Sequence, residues 1–238
     1  MTTVADLETL VNGALYTPWN MRTGTVVPTT DSIALAGGGV ELDAVVLYTD
    51  LAQSSKLATE FDRRTAAKVV KAFLGCATAL IKSHGGEVTS FDGDRVMGVF
   101  LGDYKRTNAA TCALKINYAM ANVIRPNLTA YFQSVQKSGF TIQHATGVDC
   151  STVLAVRAGI RGANDISWIG RAPNFAARLS ELRDAGYSSY ISAEVFNEMN
   201  DTAKLSTHQP PRPMWESRQL EWLGEQMPIY RSNWTWTP

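Results

Sequence analysis

The sequence predicts an α/β fold in which a mixed β-sheet is flanked by helices, with its elements in a β-α-β-β-α-β-like order and some additions. Three observations lead to this prediction. The segment DAVVLYTD is rich in β-branched and aromatic residues and ends at Asp50, as a buried central strand does. Apolar residues then recur at helical spacing over residues 59–84. Beyond them, Asp92-Gly93 separates two apolar runs, which is typical of a tight hairpin turn.

The N-terminal part of the chain, residues 1–41, is predicted to be an ordered extension of one domain that comprises residues 42–238. Residues 6–15 fit a short helix, and the stretch after them mixes Pro, Gly, Thr and Asp without a clear period. The chain has 238 residues and an apolar share of 45%, which is ample for one well-buried core.

The first half of the predicted domain alternates strands with helices. The amphipathic helix is expected from about Thr59 to His84, because a glycine pair stops the pattern there. The segment EVTSFDGDRVMGVFLG is predicted to form a strand, a tight turn and a second strand. Another helix is expected over roughly residues 106–124, ended by Pro126, and a further helix can follow it.

The second half begins with the strand FTIQHATGVD, from which VLAV is predicted to return as a hairpin. GIRGAND is expected to be a loop, and NFAARLSELRDAG a helix ended by Gly186. The remaining predicted elements are a strand at 188–192, a helix from Ala193, a loop at QPPRP, and two terminal strands, ESRQLEWLG and QMPIYRSNW.

Charge and hydropathy exclude several classes of function. Lys and Arg together number 22, as do Asp and Glu, so no overall positive field gathers nucleic acid or an anionic membrane. No apolar run approaches the roughly 18 residues that cross a bilayer, and the first residues lack the basic and apolar regions of a signal peptide. We therefore expect a cytoplasmic protein that binds neither nucleic acid nor membrane.

The candidate chemistry lies in two carboxylates at strand edges, Asp50 and Asp94. Mg²⁺ usually takes one or two carboxylates and completes its shell with substrate phosphate oxygens, so such a pair suits a triphosphate substrate. An Asp at a strand end is also a common helix cap or turn former. Spacing alone therefore leaves metal binding open.

Three segments, VVLYTDLAQSS, GGEVTSFDGDRVMGVF and IGRAPNFAARLSEL, occur in the order and approximate spacing of the class III adenylate and guanylate cyclase catalytic domain. The chain resembles that domain from about residue 42 to residue 231. The resemblance implies a ferredoxin-like class III cyclase fold and a reaction that uses two divalent cations, Mg²⁺ or Mn²⁺. Asp50 and Asp94 match the family's metal-binding aspartates, and the backbone carbonyl of Leu51 adds a ligand. Asn174 and Arg178 match its transition-state pair.

These roles have physical reasons. A guanidinium offers a fixed fork of donors to the crowded α-phosphate oxygens, and an amide can hydrogen-bond the ribose and keep the attacking oxygen in line. By spacing alone, the favoured interpretation of Arg178 is an exposed helix charge paired with Glu181 or Asp184. The hydroxyls of Ser54 and Ser55, with nearby backbone amides, suit the β- and γ-phosphates, although ordinary capping by serine is the alternative.

A lysine that family members often carry before a late glycine is Leu223 here, and Arg218 is only a weak substitute for it. The residues that read the base also depart from the purine cyclases. The lysine that recognises adenine is replaced by Ser90, and the later base-reading position is Ser167.

Five residues are predicted to line the base pocket. They are Tyr48, Ser90, Asp92, Arg95 and Ser167; Ser90, Asp92 and Asp94 are expected to alternate toward one face of the hairpin strand. A bulky tyrosine narrows the site toward a single-ring base, and small hydroxyls suit the edge of uracil.

With Tyr48 before the metal aspartate, no purine-reading lysine and no sensor or membrane domain, the chain looks like the pyrimidine cyclases of bacterial anti-phage Pycsar systems. The resemblance implies conversion of UTP to 3′,5′-cyclic UMP, a defence signal that a separate cyclic-nucleotide-binding effector protein receives. Three alternatives stay open: a CTP cyclase, an adenylate cyclase with an altered base pocket, and an inactive cyclase-like dimerisation module. The resemblance also implies a head-to-tail homodimer with shared active sites, in which Asp50 and Asp94 of one subunit face Asn174 and Arg178 of the other.

Overall fold

The computed structural model describes residues 2–238, and the strands within that range form one mixed sheet. The strands are β1 (Asn20–Thr23), β2 (Gly38–Leu51), β3 (Gly86–Asp92), β4 (Arg95–Phe100), β5 (His144–Ile160), β6 (Ala163–Ile169), β7 (Ser189–Ser192), β8 (Glu216–Trp222) and β9 (Glu225–Ser232). Their order across the sheet is β3-β4-β2-β5-β7-β9-β8, with β1 paired to β2 and β6 paired to β5. The β1–β2 and β5–β7 pairs are parallel and the others antiparallel, so the predicted mixed sheet is confirmed.

The helices cover the two faces of this sheet. They are α1 (Val4–Tyr16), α2 (Ser54–Glu60), α3 (Arg63–Ser83), α4 (Lys105–Tyr118), α5 (Arg125–Tyr131), α6 (Gln133–Ser138), α7 (Arg171–Ser180), α8 (Ala193–Glu198) and α9 (Asp201–Lys204). A π-helical segment, Ala119–Ile124, joins α4 to α5, and a short 3₁₀ turn spans Thr30–Ser32. Across residues 2–238, none of these helices has the length and hydropathy required to span a bilayer.

The two faces of the sheet bury different side chains because successive residues of a strand point in opposite directions. Val45 and Leu47 of β2 pack in a cluster with residues of α3 and α4. Val46 belongs to a second cluster, which includes Ala172 and Ala176 of α7. The second cluster also contains Ile33 of the N-terminal segment. The segment that precedes residue 42 therefore supplies part of the core packing, and the division of the chain into residues 1–41 and 42–238 stays a prediction.

Several predicted boundaries are wrong for identifiable reasons. The central strand begins at Gly38 rather than Leu42, because its first residues pair with β1 and with the far end of β5. The helix predicted from Thr59 is two helices, α2 and α3. Asp62 caps α3 by accepting a hydrogen bond from the backbone amide of Arg64 at 2.9 Å, so a new helix starts there.

The two helical predictions after β4 also fail at their ends. Pro126 does not stop the helical path, because it falls in the first turn of α5, where a missing N–H is tolerated. The helix α7 ends at Ser180 rather than continuing to Gly186.

The hairpin predicted at VLAV does not exist. His144–Ile160 is one continuous strand that pairs with β2 from Gly39 to Leu51, and VLAV lies inside it. The chain reverses later, at Arg161-Gly162, so GIRGAND contains a tight turn and the start of the unpredicted strand β6. Gly162 has a positive φ of 84°, which explains why the turn forms there.

Candidate active site

Asp50 lies at the end of the central strand β2 and is 8% exposed. Its Oδ2 accepts a hydrogen bond from Arg183 Nη2 at 3.0 Å, and its Oδ1 lies 3.8 Å from Arg95 Nε. Burial raises the pKa of this carboxyl to about 6, the negative charge of Asp94 adds to that rise, and the two arginines oppose it. A cation at this position would offset both the burial and the repulsion.

Asp94 lies in the two-residue turn between β3 and β4, since Asp92 pairs with Arg95 across the hairpin. The predicted alternation of Ser90, Asp92 and Asp94 along one strand is therefore wrong: β3 ends at Asp92, and its register also shifts between Val88 and Ser90. The negative charge of Asp94 in this turn is near enough to Asp50 to raise the pKa of that carboxyl. Asp94 Oδ2 is buried and has no hydrogen-bond partner within residues 2–238.

These residues fit a divalent cation. Two close carboxylates, one with an unpartnered buried oxygen, leave negative charge that a cation would neutralise. No cluster of three or more His, Cys, Asp or Glu side chains suited to a metal occurs in the described part of the chain, so the protein offers two side chains at most. Mg²⁺ accepts such a small ligand set because water and substrate phosphates complete its shell. Leu51 ends β2 beside Asp50, and a ligand role for its carbonyl stays a prediction.

The predicted phosphate-binding serines lie close to Asp94. After β2 the chain turns through Gln53, which has a positive φ of 59°, and α2 begins at Ser54. Ser54 and Ser55 line an open cleft of about 540 Å³ together with Asp94. Lys71 of α3 lines the same cleft, and the sequence pattern did not reveal it because it resembles any other charged residue on a solvent-facing helix.

Asn174 and Arg178 lie on the exposed side of α7, one helical turn apart. The opposite side of the helix is buried against β5, where Gly147 allows the backbone of α7 to approach closely. Arg171 fastens the start of α7 by donating hydrogen bonds to Asp149 at 3.1 Å and to Glu194 at 2.6 Å. Asn174 and Arg178 therefore lie on a helix that is fixed both by its packed face and by its first turn.

Within one chain, Arg178 and Asn174 have partners of their own. Arg178 Nη1 lies 3.5 Å from Glu181 Oε2, which is the helix pairing that the spacing also allows. Asn174 Nδ2 donates to the carbonyl of Gly170 at 3.0 Å. Glu181 also pairs with Arg95 at 3.6 Å. In the described residues neither Asn174 nor Arg178 forms a hydrogen bond or ion pair with Asp50 or Asp94, so one chain does not join the two predicted pairs by direct contact.

Four of the predicted base-selecting residues lie together on β2, β3 and β4. Tyr48 and Ser90 are both opposite Met97, and Asp92 is opposite Arg95. The guanidinium of Arg95 lies 5.9 Å from the centre of the Tyr48 ring. Burial raises the pKa of the Tyr48 hydroxyl, and the positive charge of Arg95 opposes that rise. Arg95 connects these residues to Asp50, because its Nε lies 3.8 Å from Asp50 Oδ1.

Ser167, the fifth residue, lies on β6, which pairs with β5 rather than with β3 or β4. A cavity of about 640 Å³ is lined by Thr89 and Ile166, which precede Ser90 and Ser167 in the sequence. Residues 25–30 form another wall of it. The structure gives no contact between Ser167 and the other four residues, and its role stays a prediction.

The position before the late glycine does not supply a phosphate ligand. Leu223 is 83% exposed in the β8–β9 turn. Arg218, the weak substitute, is instead paired with Asp184, which Arg231 also contacts at 3.0 Å. Asp184 therefore pairs with these two arginines rather than with Arg178.

Arg183 is a second residue at this site that the sequence did not predict. It lies three residues beyond the end of α7 and donates to Asp50 and to the carbonyls of Ser180 and Leu182. Its only signal is its place in SELRDAG, directly after the motif that contains Arg178. Position within one segment cannot show that this side chain meets a strand end more than a hundred residues earlier.

No family model matches the chain. Individual proteins of similar sequence nevertheless identify one family, and solved structures identify one fold. A uridylate cyclase of Rhodovulum sp. (strain MB263) is 44% identical over 90% of this chain and 89% of that protein. Uridylate cyclases of Burkholderia cepacia and Xanthomonas perforans are 37% and 36% identical over 98% and 97% of this chain, and over 97% and 96% of their own lengths.

Solved structures agree on the architecture. A guanylyl cyclase superposes with a TM-score of 0.66 at 16% identity over 84% of this chain and 96% of that chain. The adenylyl cyclase CyaB from P. aeruginosa superposes with a TM-score of 0.62 at 20% identity, over 82% of this chain and 95% of that chain. Since the sequence relatives align along nearly their whole length, the chain belongs to the uridylate cyclase family and has the class III nucleotidyl cyclase fold.

Proposed function

We propose that this protein converts UTP into 3′,5′-cyclic UMP and pyrophosphate. The observation that carries the proposal is the unpartnered buried oxygen of Asp94, whose negative charge also raises the pKa of the buried Asp50. The choice of UTP is supported by the full-length relatives named uridylate cyclase. In the reaction the ribose 3′ oxygen attacks the α-phosphorus and gives up its proton to solvent water. The bond from the α-phosphorus to the oxygen that bridges to the β-phosphorus breaks, and pyrophosphate leaves with that oxygen.

Asp50, Asp94 and the carbonyl of Leu51 would hold two divalent cations, Mg²⁺ or Mn²⁺. When bound, such ions supply the positive charge that stabilises the attacking oxygen and the departing pyrophosphate. Before that, Arg95 and Arg183 partly neutralise Asp50. The contacts of both arginines with Asp50 would weaken when the ions and the substrate phosphates bind.

Substrate positioning is assigned to this chain's own donors. Arg178 would leave Glu181 and turn its fork of N–H groups toward the α-phosphate, and Asn174 would hold the ribose. Ser54 and Ser55 line the cleft beside Asp94 and would bind the outer phosphates. Because neither Asn174 nor Arg178 contacts the aspartates within one chain, we place the two pairs in different subunits of a homodimer.

Selection of uracil is assigned to Tyr48, Ser90, Asp92 and Arg95, with Ser167 completing the pocket. Tyr48 and Ser90 face the same strand position and offer hydroxyl groups that can both donate and accept. The tyrosine ring, held beside Arg95, leaves less room for a purine.

Product analysis tests the proposal directly. The protein is incubated with ATP, GTP, CTP and UTP together, with Mn²⁺ or Mg²⁺, and the products are identified by mass spectrometry. We expect cyclic UMP from the wild type and none from Asp50→Asn. Cyclic CMP as the main product would move the assignment to CTP, and cyclic AMP would overturn the pyrimidine choice. No cyclic product under any condition would make the chain an inactive relative.

The product would act as a second messenger in the cytoplasm during anti-phage defence, received by a separate cyclic-nucleotide-binding effector protein. This extension rests on the resemblance to pyrimidine cyclases of defence systems. It predicts that cells expressing the wild type and such an effector resist phage, and that Asp50→Asn removes both resistance and cyclic UMP. Resistance that persists without cyclic UMP would contradict it.

A further inference from the structure

A second polar cavity, of about 320 Å³, lies directly behind the metal-binding strand end. Ala52, two residues after Asp50, forms one wall, and the π-helical segment forms another through Ala121. Arg125, His144 and Arg183 also line it. None of these five residues belongs to the predicted metal, phosphate or base sites, so the cavity has no assigned role.

His144 is the clearest polar group at this cavity without a partner in the protein. It is 3% exposed, and neither of its ring nitrogens has a hydrogen-bond partner within residues 2–238. Burial disfavours the charged form of an imidazole, and the neutral ring has one N–H to donate. Buried polar groups in folded proteins almost always have partners, so an unpaired imidazole at a cavity wall indicates a missing one.

The cavity also contains uncompensated positive charge. Arg125 is half-buried and uses only its Nε, which donates to the carbonyl of Ile142 at 2.8 Å. Burial lowers its pKa, and no charged neighbour in the described chain counteracts that effect. Arg183 shares its guanidinium between Asp50 and two carbonyl groups. The acidic residue at the wall, Asp184, is already paired with Arg218 and Arg231.

We propose that this cavity binds a small phosphate-type oxyanion, which accepts hydrogen bonds from Arg125, Arg183 and the N–H of His144. Phosphate oxygens match the fork of donors that arginine presents, and the neutral imidazole supplies one more donor. The anion is either free inorganic phosphate or the pyrophosphate released by the proposed reaction. In both cases it competes with Asp50 for Arg183, so its binding loosens the ion pair at the metal site; this coupling rests on the proposed function.

Calorimetry with inorganic phosphate as the probe tests the cavity without any need for activity. The full-length protein is titrated in EDTA, so that no divalent ion can recruit phosphate to Asp50 and Asp94. We expect saturable binding of one phosphate per chain, weakened about tenfold or more by Arg125→Gln, which removes charge-assisted hydrogen bonds. Arg212→Gln removes the same charge from an exposed loop and serves as the matched control, with unchanged affinity. Absence of saturable binding, or equal affinity in the wild type and Arg125→Gln, would overturn the proposal.

A second pair of variants keeps the test valid if Arg125→Gln folds poorly. Ala121→Glu places a carboxylate at the cavity wall, where it would pair with the arginines and block phosphate binding. Ala121→Gln has nearly the same shape without the charge and should retain it. Equal phosphate affinity in these two variants would contradict an anion site.

Steady-state kinetics then distinguishes the two sources of the anion. If the cavity receives released pyrophosphate, Arg125→Gln weakens product inhibition about tenfold while KM for UTP without added product stays close to wild type. If free phosphate is an effector, added phosphate changes kcat in the wild type and not in Arg125→Gln. Phosphate binding by calorimetry without either kinetic effect would overturn the coupling through Arg183. A protein that makes no cyclic UMP yet binds phosphate would contradict only the proposed function.

Discussion

At the scale of single residues, Asp50 is the group whose chemistry depends most on its surroundings. Burial and the charge of Asp94 raise its pKa to about 6, and a divalent ion binds only the carboxylate form. A proton and a cation therefore compete for this side chain. Between pH 5 and pH 7.5 we expect Mn²⁺ affinity to rise about tenfold, since most Asp50 carboxyls are protonated at the lower pH. Calorimetric titration with Mn²⁺ at both pH values measures this change.

The raised pKa of Asp50 has the opposite effect on the stability of the ion-free protein, which falls as pH rises. The folded pKa lies above the unfolded value, so protonation favours the folded state. The contribution of Asp50 is fully present below the unfolded pKa and is lost as pH rises through about 6. Asp50→Asn removes the titration and is the control for the pH dependence in both experiments. Equal Mn²⁺ affinity at pH 5 and pH 7.5 would show that Asp50 is not the ligand.

Arg178 is the second residue for which a conservative change is informative. Lysine keeps the charge and loses the planar fork that can hold two phosphate oxygens at once. We expect Arg178→Lys to lower kcat for UTP about a hundredfold with little change in KM, because the lost interaction belongs to the transition state. Arg161→Lys, in the exposed β5–β6 turn, is the matched control. A kcat within threefold of wild type would assign Arg178 to its pairing with Glu181 alone.

The sequence could predict those site residues that belong to a short local pattern, and could not predict those placed by contacts between distant segments. Asp50 and Asp94 each end or interrupt a short, recognisable strand pattern, so their positions at strand edges were predictable. Arg183 was not, because its contact with Asp50 joins segments 133 residues apart. The sequence also gives no sign of the environment of His144, since nothing in FTIQHATGVD shows that its ring would be buried without a partner.

At the scale of elements, helix α7 depends on one close approach to the sheet. A Cβ on Gly147 would lie 2.2 Å from the carbonyl oxygen of Ala176 and 2.6 Å from Leu179 Cβ. The obstacle is partly backbone, so the helix must move as a whole. We expect Gly147→Ala to lower the free energy of unfolding by about 1–3 kcal/mol and to lower kcat, because Asn174 and Arg178 move with α7. Urea denaturation and steady-state kinetics measure the two effects.

Gly75 gives the matched control for that substitution. It lies within α3, and a Cβ there meets no atom within 4 Å. Gly75→Ala should therefore raise the free energy of unfolding by about 1 kcal/mol, through helix propensity, and leave kcat unchanged. If Gly147→Ala were as active and as stable as Gly75→Ala, the packing of α7 on β5 would not set the position of the catalytic pair.

Element boundaries were predictable where a local signal ends the helix or strand, and not where pairing with another strand sets the boundary. Gly85, with a positive φ of 76°, follows the end of α3 as predicted. VLAV was wrongly placed in a hairpin because residues 144–160 exceed the usual length of a strand. The strand β2 pairs with residues 144–156 and stabilises this length. The local sequence of a strand does not show which partner it will have.

At the scale of the whole molecule, the mixed α/β class was predictable, although the strands β1 and β6 were not. The sharing of the site was not predictable either. The mixed sheet follows from patterns within single segments. Whether Arg178 meets Asp50 of its own chain depends on assembly. Within residues 2–238 of one chain, ion pairs of 3.5, 3.6 and 3.8 Å link the two residues through Glu181 and Arg95.

Mixing two inactive variants tests whether the site is shared. In a head-to-tail homodimer, each site would take Asp50 and Asp94 from one subunit and Asn174 and Arg178 from the other. A mixed dimer of Asp50→Ala and Arg178→Ala then has one site with both defects and one site with none. Random exchange of equal amounts makes half of the dimers mixed, so we expect about a quarter of wild-type turnover per chain. Native mass spectrometry of differently tagged chains confirms that mixed dimers form, and mixed dimers without activity would place each site within a single chain.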